Sequence, residues 1–94
     1  MAESTIDPKS YIGKTLRFVR GAAVGPILDM RKRKQDSRVY LIVDATAFFN
    51  QSVEYAVPFT DVEGIQADTV LIHKGAGDHL RGMVYYPDDY RALD

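Results

Sequence analysis

The segment RVYLIVDATAFF, residues 38–49, constrains the fold of this chain more than any other stretch. It opens with a run of β-branched, aromatic and aliphatic residues, namely Val39, Tyr40, Leu41, Ile42 and Val43. Such residues are enriched in strands because they pack well on a pleated surface. Since neighbouring side chains in a strand point to opposite faces, an apolar run without alternation predicts a strand that is covered on both sides.

The other regular segments are short and end at turn-forming residues. Alternating or apolar runs predict further strands at residues 14–21, 27–34, 53–59 and 68–74. Gly13, Gly21 and Gly25 permit positive φ where the chain reverses, and Pro58 ends regular pairing. Residues 60–65 are expected to form one helical turn. With no long amphipathic helix, this spacing favours a small barrel or sandwich.

The 94 residues predict one domain with three parts. Residues 1–10 form a polar lead-in, residues 11–80 the folded domain, and residues 81–94 a tyrosine-rich tail packed on that domain or on a partner. No apolar stretch approaches the roughly 20 residues that span a bilayer, so no membrane insertion is expected. The polar N-terminus does not resemble a secretory signal, and the expected location is cytoplasmic.

Charge and cysteine content exclude several classes of function. The chain carries 12 Lys and Arg against 13 Asp and Glu, for a formal net charge of −1. A domain built mainly to hold a phosphate backbone is usually clearly basic, and this one is balanced. The sequence contains no cysteine, which excludes thiol nucleophiles, disulfides and cysteine-ligated metal sites.

Four pieces of the chain, taken in order, resemble the PRC-barrel family: IGKTLRF, VGPILDM, RVYLIVDATAFF and YAVPFTDVEGIQADTVLI. The family is named for the cytoplasmic domain of the photosynthetic reaction-centre H subunit. It also includes the C-terminal domain of a ribosome-maturation factor and small bacterial and archaeal proteins. The resemblance covers residues 11–73. It implies an all-β fold, a small β-barrel of five or six short strands with a short helical turn and a C-terminal tail.

The cationic run departs from this family pattern. Arg31, Lys32, Arg33 and Lys34 are consecutive, and Arg38 follows across a polar turn. In an extended chain, Arg31 and Arg33 face one side and Lys32 and Lys34 the other, so one flat contact uses only two of the four. Charges at a hairpin tip also serve simply to keep it hydrated and to discourage edge pairing. RNA, DNA, an acidic protein surface and anionic lipid are the functional alternatives.

Aromatic residues supply the candidates for a protein contact. These are Phe48, Phe49, Tyr85, Tyr86 and Tyr90. Tyrosines with apolar neighbours are favoured at protein interfaces. The alternative is that the tail folds back on its own domain and covers an edge strand.

No group of residues predicts chemistry. His73 and His79 lack a third metal ligand. The carboxylate pairs Asp61 with Glu63 and Asp88 with Asp89 have no neighbouring base, nucleophile or oxyanion donor. We therefore expect no catalytic residue, cofactor, metal or small-molecule substrate.

The sequence thus predicts a non-catalytic protein-interaction or assembly module, self-associating as a homodimer, as the family resemblance implies. The alternative is a module that binds RNA, the ribosome or DNA through the cationic run. Binding of that kind weakens steeply with salt.

Overall fold

A computed structural model describes residues 7–19, 21–72 and 83–93. The described chain forms eight strands: β1 Thr15–Phe18, β2 Ala23–Arg33, β3 Val39–Asp44, β4 Glu54–Pro58, β5 Val62–Gln66, β6 Thr69–Ile72, β7 Met83–Val84 and β8 Tyr90–Arg91. The one α-helix in this part, α1, spans Thr46–Phe49. Short 3-10 turns occupy Pro8–Ser10, Phe59–Asp61 and Pro87–Asp89. No helix of the described residues is long and apolar enough to cross a bilayer.

The strands form one sheet in the order β5-β6-β1-β2-β3-β4-β7, and β8 pairs separately with β2. The long strand β2 joins the two halves of the sheet. Its first residues pair with β1, and the residues from Ile27 to Lys32 pair with β3. A register shift between Ile27 and Asp29 marks a bulge, which bends the strand between its two sets of partners. β1 and β6 are parallel, whereas the other neighbours are antiparallel.

The mainly β fold is confirmed, but the closed barrel and the count of five or six strands are wrong. The sheet is an open path that ends at β5 and β7, and these strands do not pair with each other in the described chain. The expected helical turn at 60–65 is a 3-10 turn at Phe59–Asp61 followed by β5. The two-residue strands β7 and β8 lie in the tail, where they form only because the tail returns to the sheet.

The prediction that both faces of β3 are covered is confirmed. Tyr40, Leu41, Ile42 and Val43 are all buried. Leu41 and Val43 belong to a large inner cluster with Leu16, Phe18, Val24, Ile27, Met30, Ala45, Val57, Val70 and Ile72. Tyr40 and Ile42 belong to a smaller outer cluster with Ala56 and Tyr90, against which Met83 and Tyr85 pack. The alternation follows the two-residue repeat of a strand.

A glycine sets the approach of β2 to the end of β3. Gly25 has φ +154°, and a Cβ at this position would overlap the backbone carbonyl oxygen of Asp44. Gly13 also takes the expected positive φ, at +92°, whereas Gly21 does not. Only a residue without a side chain lets β2 pass so close to Asp44.

Candidate interaction surfaces

Apolar side chains are exposed where α1, β4 and β7 meet. The Phe49 ring lies 4.9 Å from the Tyr55 ring, measured between centroids, and Tyr55 pairs with Val84 across β4 and β7. Tyr86 is two residues beyond Val84 in extended backbone. Phe49, Val84 and Tyr86 are 37%, 38% and 62% exposed. We call Phe49, Tyr55, Val84 and Tyr86 the aromatic patch.

The other aromatic candidates, Phe48, Tyr85 and Tyr90, pack against the clusters of the chain itself. Phe48 packs against the inner cluster, with its ring 5.9 Å from that of Phe18. Tyr90 is 5% exposed, and its ring contacts Tyr40 at 5.7 Å and Tyr85 at 5.0 Å. Tyr85 is half-buried. Because the rings of Phe48 and Tyr90 are occupied within the chain, neither belongs to the patch. The Phe48 ring also contacts the ring of Phe49, with centroids 5.0 Å apart, so Phe48 connects the patch to the inner cluster.

The Tyr90 hydroxyl has no hydrogen-bond partner in the described chain, although it is fully buried. A buried hydroxyl without a partner costs stability because it has lost its water. Burial also raises the pKa of Tyr90 above its ordinary value. The outer cluster therefore stabilises the fold less than an all-apolar cluster of the same size.

The cationic run is divided by the pleat of β2. The Arg31 Nε donates to Asp29 Oδ2 at 2.7 Å, and this bond raises the pKa of Arg31. Arg33 Nη1 lies 3.5 Å from the Tyr40 hydroxyl and 3.7 Å from Asp36 Oδ2. The hydrogen bond to Tyr40 raises the pKa of Arg33. Both arginines are thus engaged on the outer side, where Arg31 pairs with Tyr40.

The lysines of the run are not engaged in this way. Lys32 stands directly opposite Arg91 in the β2–β8 pairing. Lys34 is exposed, as is Arg38, which begins the approach to β3. None of these four cations forms an ion pair with a described residue. Sequence reasoning missed Arg91, because nothing local marks the two residues of β8 as a strand.

An acidic pair lies at the other end of β3. Asp44 stands opposite Glu54 in the β3–β4 pairing. The two carboxylates line a groove of about 380 Å³ together with Thr46, Ser52 and Val84. The Thr46 N–H donates to Asp44 Oδ1 at 3.0 Å, and hydrogen bonds from Thr46 lower the pKa of Asp44. Asp44 therefore carries its charge at neutral pH.

The described residues that were considered for chemistry lie on different elements. Asp61 is buried at the end of a 3-10 turn and Glu63 is exposed on β5, while Asp88 and Asp89 are exposed in the turn before β8. His73 and His79 lie outside the described residues. Within the described ranges, no three potential metal ligands cluster together.

Comparisons with protein-family models, with curated proteins and with solved structures found no match. The function is therefore argued from the surfaces described above and from the resemblance in the sequence.

Proposed function

We propose that this chain is a non-catalytic protein-interaction module that binds through the aromatic patch and self-associates as a homodimer. The assembly role that the PRC-barrel resemblance implies is part of this proposal. The observation that carries it is the group formed by three exposed residues, Phe49, Val84 and Tyr86, around the half-buried Tyr55. An exposed apolar group of this kind marks a contact site more often than isolated surface residues do.

The composition and position of the patch support a protein partner. Tyrosine and phenylalanine are enriched in interface cores because they offer large contact area with little loss of side-chain freedom. The patch lies beside β7, a strand of two residues at one end of the sheet path. No further strand of the described chain pairs with this edge, and a sheet edge offers backbone groups to which a partner can hydrogen-bond.

The test is sedimentation velocity of the chain over a range of about 1 μM to about 1 mM, the range in which weak dimers form. Tyr86→Ala and Val84→Ser are expected to weaken self-association by about tenfold, the effect of losing one interface anchor. The matched control is Ile65→Ser, on β5 at the far end of the sheet path, where Ile65 is 42% exposed.

Two results would count against this proposal. One is a wild-type chain that stays monomeric at every concentration. The other is equal loss of association in the control and in the patch variants, which would point to general destabilisation. Circular dichroism of each variant separates that case from a specific effect.

A second candidate function is nucleic-acid binding at the cationic run. The pairing of Arg91 with Lys32 favours it, because it adds a cation that the sequence did not place there. The internal ion pairs of Arg31 and Arg33 and the net charge of −1 weigh against it. Retention on single-stranded RNA that falls with salt, and that Lys32→Glu abolishes, would support this function.

A further inference from the structure

Two like-charged cross-strand pairs occupy opposite ends of the same half of the sheet. Asp44 faces Glu54 across β3 and β4, and Lys32 faces Arg91 across β2 and β8. Lys32 also pairs with Val39, at the start of β3. Since Asp44 lies five residue steps beyond Val39 along β3, the two pairs are about 17 Å apart along the strand.

Each pair is uncompensated within the described chain. Like charges directly opposite each other in a sheet destabilise it. Neither pair has an ion-pair partner among the described residues. Asp44 is held by Thr46, and those hydrogen bonds favour its charged form rather than neutralising it. Both pairs therefore keep their charge available to a partner.

The chain cannot bring its own two pairs together. Asp44 lies on the same face of β3 as Tyr40 and Ile42, which belong to the outer cluster. Lys32 lies on the same face of β2 as Met30, which belongs to the inner cluster. The pairs thus point to opposite sides of the sheet as well as to opposite ends, so neither pair can satisfy the other within one copy of the described chain.

We propose that copies of this chain associate head to tail, with Lys32 and Arg91 of one copy seated at the groove between Asp44 and Glu54 of the next. The occupant is argued from charge complementarity: the chain itself carries the matching pair. This inference rests on the proposed self-association and assigns its second surface. The contact joins two different surfaces, so it is heterologous and leaves a free surface at each end, and association through it continues beyond the homodimer to larger oligomers as the concentration rises.

The groove also suits the shape of these side chains. Val84 lines it beside the two carboxylates and belongs to the aromatic patch. Lys and Arg bury their aliphatic stems on apolar surface while the charged ends reach polar groups. In this contact, the aliphatic stems of Lys32 and Arg91 are buried against Val84 at the edge of the patch. The acidic pair fixes which residues of the two copies meet.

The test uses two variants that each remove one end of the contact. Glu54→Lys cancels the charge of the groove, because the new lysine stands opposite Asp44, and Lys32→Glu with Arg91→Glu reverses the basic pair. Asp68→Lys, before β6, and Arg17→Glu, on β1, are the matched charge controls; both positions are exposed, and β1 pairs with β2 at Ala23 to Pro26, away from Lys32. Each change is expected to weaken self-association by about tenfold, because it places like charges across the interface, and the controls should leave it unchanged.

Mixing the two reversed variants gives the sharper result. In the mixture, the intact basic pair of the Glu54→Lys variant can meet the intact groove of the Lys32→Glu, Arg91→Glu variant, whereas each variant alone lacks one of the two surfaces. The equimolar mixture is therefore expected to form complexes that neither variant forms alone. Wild-type association should weaken between about 0.1 M and about 1 M NaCl, as the Debye length falls from about 10 Å to about 3 Å. A mixture that stays monomeric would overturn the proposal.

The remaining outcomes separate this proposal from the proposed function. Association that is lost in Tyr86→Ala but unchanged in both charge-reversed variants leaves the aromatic patch as the interface and overturns the head-to-tail contact. A wild-type chain that is monomeric throughout overturns both. Loss of RNA retention in the Lys32→Glu, Arg91→Glu variant, with self-association intact, assigns the basic pair to nucleic acid instead.

Discussion

The two faces of β3 carry clusters of different size and chemistry. Eleven of the described residues form the inner cluster, and all of them are apolar. Four form the outer cluster, of which two are tyrosines. Leu41 and Ile42 are neighbours in the chain and are both almost fully buried, yet they stabilise different contacts. The buried fraction of a side chain alone therefore does not give its contribution to the free energy of unfolding.

The inner cluster is closed by several strands, whereas the outer one depends on the tail. Strands β1, β2, β4 and β6 contribute side chains to the inner side. The outer side is covered by residues from Met83 to Tyr90, which pair with the sheet through only two residues in each of β7 and β8. Such a cover should open more readily, because few backbone pairs and few apolar contacts hold it.

The largest expected effect is that of Leu41→Ala on the inner side. Removing this side chain leaves a cavity among rigid neighbours, and the free energy of unfolding should fall by about 4 kcal/mol. Urea denaturation followed by circular dichroism measures the loss. A loss well under half that size would mean that the inner cluster collapses around the gap.

The matched change on the outer side, Ile42→Ala, should cost about 2 kcal/mol, near the lower end for such substitutions, because the tail can settle into the space. The same urea titration gives the value. If Leu41→Ala and Ile42→Ala lowered the free energy of unfolding equally, the two faces of β3 would be equally rigid and the expected difference between them would be wrong.

Tyr90→Phe is expected to stabilise the chain by about 1 kcal/mol. The substitution removes a buried hydroxyl that has no hydrogen-bond partner among the described residues and keeps the ring that contacts Tyr40 and Tyr85. Thermal unfolding should therefore show a higher midpoint. Tyr85→Phe, at a half-buried position, is the control and should change the midpoint less.

The same tyrosine gives the outer cluster a dependence on alkaline pH. Burial raises the folded-state pKa of Tyr90, so the unfolded chain loses this proton first, near pH 10. Between the unfolded and the folded pKa the folded state binds more protons, and stability falls as pH rises above about 10. The difference in unfolding free energy between wild type and Tyr90→Phe should therefore widen in that range. If the difference in unfolding free energy stayed constant as pH rises above about 10, the expected role of Tyr90 would be wrong.

The smallest effect is expected for Arg31→Gln. Its ion pair with Asp29 is partly exposed, with side chains 39% accessible on both partners, and solvent screens such pairs. The substitution should lower the free energy of unfolding by about 0.5 kcal/mol. Asp29→Asn tests the same pair from the other side, although it also affects the bond from the Met30 N–H to Asp29.

Several features follow from local sequence alone. The apolar run from Val39 to Val43 determined that β3 is covered on both faces, because side-chain direction alternates in any strand. Pro58 ends β4, and Pro87 begins a 3-10 turn, because proline lacks an N–H and fixes φ. The alternation of the cationic run was also visible, since it requires only an extended chain.

The tertiary structure decided the features that depend on distant partners. Arg91 meets Lys32 only because the tail returns to β2, and Asp44 meets Glu54 only through the register of β3 and β4. The open end of the sheet at β7 likewise depends on which strands find neighbours. Strand pairing joins residues far apart in the chain, and the free energy that selects one pairing comes from packing of the whole sheet rather than from any single segment.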